Sequence, residues 1–339
     1  MLLKQLANLI LFTLSLTIVV NGQREIKLVQ QPHSPQWIRV GSKFSDQTSG
    51  ICFIETKKGQ KVFLIADDVG AIHRMVYQNN SIIELTKYRL GKKAKKYLES
   101  FSKKDFEEIA YDISTGDVYL SIEGNAPSPK TSTKIVKLKF KNNSIYQNSI
   151  DDFIELNISP KNLFEQYVEN NIGYEGLAVD NNYIYLGFEG FQSSGFLFSD
   201  STYIFIVDKK NLNIVKKIST KKFGIGTICG LHIQDKTLWG VDRNGFKIFY
   251  LTFNENLDVV NWKEFSFQSK IPNTVNMSYI AAIESITIDD DANVYVIDDP
   301  WKRFYIPSEE VQSKLSVENI ENFNKFIPII YKYKILKNN

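Results

Sequence analysis

Hydrophobic positions along the chain fall in short runs, not long stripes. From residue 49 onward one phrase recurs five times: a short strand, a tight turn, and a second strand ending on an acid. The first strand reads Ser49–Phe53, Glu107–Asp112, Glu175–Asp180, Cys229–Ile233 and Glu284–Asp289. The second reads Val62–Asp67, Val118–Glu123, Ile184–Glu189, Leu238–Asp242 and Val294–Asp299. Between them sit turn-formers: Lys58-Gly59, Ser114–Asp117, Asn181-Asn182, Gln234-Asp235 and Asp290-Asp291. β-Branched and aromatic residues fill the strands, which suits a pleated and largely buried surface.

A third strand follows each pair, at Ala71–Tyr77, Lys134–Phe140, Tyr203–Asp208, Lys247–Phe253 and Ile329–Ile335. A fourth follows in four units, at Ile82–Leu90, Tyr146–Leu156, Leu212–Ser219 and Val259–Phe267. The fifth unit runs out of chain, while Glu25–Gln30 has no unit of its own. This segment therefore supplies the missing outer strand and closes the ring, which hides an open edge. Strand-rich units without helical crossovers exclude an α/β fold and predict an all-β, five-bladed β-propeller. Six blades are the alternative count. A β-sandwich with chance repeats accounts less well for aligned hairpins with a common ending.

Residues 1–22 read as a secretory signal: Lys4, then an apolar stretch from Leu6 to Val20, then Val20-Asn21-Gly22 ahead of the cut. The apolar run is short for a membrane span. Residues 23–339 then form one exported propeller domain, secreted, periplasmic or held at the cell surface. With 41 Lys+Arg against 38 Asp+Glu and no long basic run, nucleic acid is not an expected partner. A monomer is expected.

Propeller geometry turns the repeat into a site. In each unit the start of the inner strand and the end of the second meet at one rim. Glu107 should approach Glu123, Glu175 should approach Glu189, and Glu284 should approach Asp299. Asp67 joins them from the first unit, where Ser49 replaces the inner Glu. In the fourth unit Cys229 stands in that place, beside Asp242. Crowded carboxylates repel unless neutralised, and hard oxygen ligands from several elements suit Ca²⁺. One reading is a calcium site at the axial mouth. The other is structural: each Glu accepts backbone N–H bonds from the next blade and locks the two together. Glu108 is expected to point away from this site. The longest inserts, Gly91–Lys104, Ser159–Asn171, Gly190–Ser201 and Pro300–Phe326, should lie on the same face, where a small-molecule or protein ligand would dock. Short helices are expected after Ser159-Pro160 and within Val311–Phe326.

The phrases Ser49-Gly50-Ile51, Asp105-Phe106-Glu107, Glu175-Gly176-Leu177-Ala178, Cys229-Gly230-Leu231 and Glu284-Ser285-Ile286 resemble, in order, those of SdiA-regulated propeller proteins. They are also similar to the wider phytase-like group, named for the esterase-like activity of phytase. The resemblance spans nearly the whole mature chain and implies an exported propeller with bound calcium and a largely undefined activity. Departures are Glu108 and Ser285 where Gly is usual, and Cys229 where Ser is usual.

Other chemistry is missing. The three histidines, His33, His73 and His232, lack the spacing of a zinc site. Gly190–Gly195 is not a nucleophile elbow, and there is no P-loop or dinucleotide fingerprint. Two cysteines, Cys52 and Cys229, occupy different positions in non-adjacent repeats and should be free thiols. Three functions stay open. The first is a non-catalytic, calcium-stabilised binding scaffold. The second is a calcium-dependent phosphoesterase with metal-activated water, in which Arg243, Lys302 or Arg303 contact substrate. The third is a lactonase-type hydrolase with one metal on the axis.

Overall fold

A computed structural model describes residues 26–194 and 197–337; the signal segment lies outside them. Five antiparallel sheets are arranged as blades around one axis. From the inside outward, blade one comprises Thr48–Lys57, Gln60–Asp67, Ala71–Gln78 and Ser81–Lys87. Blade two comprises Phe106–Tyr111, Val118–Ile122, Lys134–Phe140 and Ser149–Glu155, with Arg89–Leu90 added in parallel at its edge. Blade three holds Tyr174–Val179, Tyr183–Phe188, Tyr203–Asp208 and Ile214–Ser219. Blade four holds Gly230–Gln234, Thr237–Asp242, Lys247–Phe253 and Val259–Ser266. Blade five is built from Ala282–Ile288, Asn293–Asp299 and Ile329–Lys337, and Ile26–Gln30 completes it.

That last pairing runs from Ile26 opposite Lys337 to Gln30 opposite Tyr333, so the first described strand closes the ring. Gln36-Trp37 adds a second clasp on the same strand, and the Trp37 indole N–H donates to Asn319 at 3.0 Å. The hydrophobic gradient explains the layering. The inner strand Tyr174–Val179 is buried throughout, as expected of a strand covered on both faces. The outer strand Val259–Ser266 alternates half-buried and exposed. The core consists of five clusters, each filling the wedge between neighbouring blades. Cys52 and Cys229 are free and buried.

The expected helices are present but short. Lys161–Phe164 follows Pro160, and the late insert folds into Glu309–Gln312 and Val317–Asn324, the second capped by the Ser316 hydroxyl. Among the described residues no helix is long and apolar enough to cross a membrane.

The axial mouth as candidate functional site

Each inner strand carries one extra residue at its start. The pairing slips between Thr48 and Gly50, Phe106 and Ile109, Tyr174 and Gly176, and Ile283 and Ser285. In blade four the Cys229 N–H reaches Val241, the residue already paired with Gly230. A β-bulge re-aims the side chain it carries. Repeated in all five blades, it turns Ser49, Glu107, Glu175, Cys229 and Glu284 toward a common mouth. The residue that ends each second strand or lies just past it faces the same place: Asp68, Glu123, Glu189, Arg243 and Asp299. All of these but Cys229 line one hollow of about 450 Å³.

Within it, oxygens of Asp105, Glu107 and Glu123 lie within 4.8 Å of one another, as do those of Glu123, Glu175 and Glu189. Glu175, Glu284 and the Cys229 sulfur form a third such group. All these side chains are buried. Six buried carboxylate oxygens have no hydrogen-bond partner: one each on Asp68, Asp105, Glu123, Glu175, Glu189 and Asp299. An unpaired buried acceptor is costly, and a set of carboxylates so placed could hold a cation.

The electrostatics agree. Burial pushes the Glu284 carboxyl up to about 7, against the pull of Arg243. Asp68 is likewise pushed up to about 7 by burial and by Asp105. Glu107, Glu123 and Asp299 are raised by burial first and then by their acidic neighbours. Glu175 is raised to about 8 by burial and then by Glu189, and Glu189 to about 7 by burial against the pull of Arg243.

Two cations answer this charge. The Arg243 guanidinium donates from Nη1 to Glu284 at 2.5 Å and from Nη2 to Glu189, with Glu175 at 3.7 Å. Lys103 pairs with Asp105 at 2.7 Å from the rim, and Asn125 donates to the same carboxylate at 2.9 Å.

Of the residues expected from sequence, Glu107, Glu123, Glu175, Glu189, Glu284 and Asp299 all line the hollow. Asp67 does not. It accepts from the Ser45 hydroxyl at 2.5 Å, just ahead of the blade, and contacts the His73 ring of its own blade at 3.0 Å. The rim position belongs to Asp68: Asp67 pairs with Thr48 as Ile122 pairs with Phe106 and Phe188 with Tyr174, so the rim lies one residue beyond the expected acid. The same shift turns Asp242 inward, where it accepts from the Thr227 hydroxyl at 2.7 Å, and presents Arg243 instead. Asp68 and Asp105 were not anticipated; Asp68 directly follows Asp67, and Asp105 stands two residues before Glu107. Lys302 and Arg303 lie outside the lining, over the rings of Phe326 and Phe304 at 5.6 and 5.3 Å. Each long insert sends at least one residue to the mouth: Lys103, Asn171, Phe198 and Trp301.

Locking of the blades falls to Glu108. Its side chain enters the axis below the mouth and is fully buried. It meets the Ser285 hydroxyl at 2.6 and 2.7 Å and accepts from the N–H of Ile51 at 3.1 Å and of Leu231 at 3.3 Å, so blade two is tied to blades one, four and five. Small residues make room for it. A Cβ on Gly50 would lie 2.5 Å from the Glu107 carbonyl, and one on Gly230 would lie 2.5 Å from Ser285 Cα and 2.8 Å from Glu108 itself. A larger hollow of about 830 Å³ lies on the flank, lined by Lys43, Lys87, Arg89 and Lys141. No buried unpartnered polar group borders it.

No family model matches the chain, and no curated protein matches it in sequence. Solved structures share its outline at low similarity. The PQQ-bound aldose sugar dehydrogenase of Streptomyces coelicolor is 9% identical, with a TM-score of 0.44 over 92% of this chain and 99% of that one. The glutaminyl cyclase of Myxococcus xanthus is 10% identical, with 0.47 over 90% and 97%. A luciferin-regenerating enzyme is 10% identical, with 0.43 over 93% and 98%. None of these activities transfers to this chain at such similarity.

Proposed function

We propose that this propeller binds a calcium ion in its axial mouth and uses the loop-rich face above it to hold a ligand, as an exported scaffold of the SdiA-regulated, phytase-like kind. One observation carries the reading: buried carboxylates from four blades converge with oxygens that no protein group satisfies. Asp105, Glu107 and Glu123 are the ligands we assign, because their oxygens lie together on the side away from Arg243. Asp68 stands near Asp105. Ca²⁺ takes about six to eight oxygens in flexible geometry, which a set of carboxylates, carbonyls and water can meet. The ion neutralises charge that the fold cannot neutralise alone.

The binding reading stands ahead of the phosphoesterase one because the cations expected to hold a phosphate are engaged elsewhere. Arg243 is spent on three glutamates. Lys302 and Arg303 are not in the lining. Titration calorimetry with Ca²⁺ tests the ion: a measurable heat and a higher Tm are expected, both abolished by EDTA. A flat titration at neutral pH would remove the proposal. Nitrophenyl phosphates, assayed with and without Ca²⁺, test the hydrolase reading, and calcium-dependent turnover would reinstate it.

A further inference from the structure

Four blades place an acid at the end of the second strand or just past it: Asp68, Glu123, Glu189 and Asp299. Blade four places Arg243 there. The ring of acids is thus interrupted once, by a residue of opposite charge. Its guanidinium sits among Glu175, Glu189 and Glu284, each from 94% to 97% buried. Even so, one oxygen of Glu175 and one of Glu189 remain without a hydrogen-bond partner. A single positive charge is shared by three carboxylates, and the coordination they offer is incompletely used.

The opposite half of the mouth differs. Asp105, Glu107 and Glu123 have no guanidinium against them, and Lys103, half exposed, reaches only Asp105. The two halves meet at Glu123, whose oxygens lie within 4.8 Å of both sets. The ring geometry therefore offers room for positive charge twice, and the chain fills one place itself.

We infer that Arg243 is a resident cation occupying a second metal position, so that the protein loads one divalent ion where its carboxylates provide for two. The inference builds on the reading of the mouth as a calcium site. Physically, a tethered guanidinium holds its place without loss of translational freedom, but it brings one charge where a divalent ion brings two. Removing it leaves three buried carboxylates without a counter-ion, a state costly enough to recruit one from solution.

The test is the stoichiometry of Ca²⁺ binding, by calorimetry and by equilibrium dialysis. Wild type should bind one ion and Arg243→Gln two, while Arg243→Lys, which keeps the charge, should bind one. A folded Arg243→Gln that binds no more ions than wild type overturns the inference; its carboxyls would then have taken up protons instead. If Arg243→Gln needs calcium to fold, melting gives the same answer. Its Tm should lie below wild type in EDTA and match it in saturating calcium, and a deficit that calcium does not close overturns the inference. Wild type binding no ion while Arg243→Gln binds one would keep the inference and remove the reading beneath it.

Discussion

Glu123→Gln should make the cation-free protein more stable and at the same time blunt its answer to calcium. Glu123 is 2% exposed, belongs to two of the carboxylate groups, and keeps an unpartnered oxygen. Burial and the charges of Glu175, Glu189 and Asp105 all raise its pKa. Leaving a buried carboxyl oxygen without a partner costs about 1–3 kcal/mol. An amide of the same shape removes most of that cost and relieves its neighbours. Allowing for its own buried polar group, the gain is about 1–3 kcal/mol, or several degrees in Tm. In saturating Ca²⁺ the sign reverses, because a ligand has been lost. Scanning calorimetry of both proteins in EDTA and in calcium reads both effects. A variant that melts below wild type in EDTA, or that keeps the full calcium-induced rise, would refute the reasoning.

The same physics fixes a pH dependence. Glu284 and Asp68 have raised pKa values, so their contribution is intact at acid pH and is lost as pH climbs through about 7. Without cations, Tm should fall between pH 5 and pH 8, and saturating calcium should flatten that fall; a cation-free Tm that rises across this window counts against the site. Asp67→Asn should leave the calcium affinity unchanged while lowering Tm, whereas Asp68→Asn should weaken calcium binding, and calorimetry of the pair distinguishes the rim from the blade interior. Glu108→Ala should cost about 3–5 kcal/mol in urea unfolding, because backbone donors from two other blades lose an acceptor. Burial raises the Glu108 carboxyl, so the isosteric Glu108→Gln should cost no more than about 1 kcal/mol, and equal losses would show that its charge, not its shape, ties the blades. Deleting residues 26–30 should uncover the edge of Ile329–Lys337 and produce self-association visible by size-exclusion chromatography.

The ring and its closure were legible in the sequence because a propeller writes its period into the chain. All five hairpins and the completing strand near residue 26 fall where the repeats put them. Convergence of the long inserts followed from topology alone. The rim was legible only to within one residue. Hydrophobic alternation through Val62–Asp67 and Leu238–Asp242 ends naturally on the acid, and nothing in that alternation reveals that the rim lies one residue further on. Asp67 pairs with Thr48 as Ile122 pairs with Phe106, which leaves Asp68, and Arg243 in blade four, in the place of Glu123, a correspondence that the pairing register exposes. A signal did exist. The acids of blades two and three sit just beyond the paired run, and aligning blade four on them brings Arg243, not Asp242, into the ring. Glu108 was placed away from the mouth, but its bonds to three other blades depend on how closely glycines let the strands approach, which no single strand records.

The carboxyl of Glu108 closes the shaft beneath the acids, with glycine-thin walls on either side. The molecule is thus a cup and not a pipe. Whatever enters from the loop-bearing end must leave by that end, and ions have no through-route to the far side. Exchange is then governed by a single doorway, framed by Lys103, Asn171, Phe198 and Trp301. Those four loops, not the sheets, set how long a guest stays.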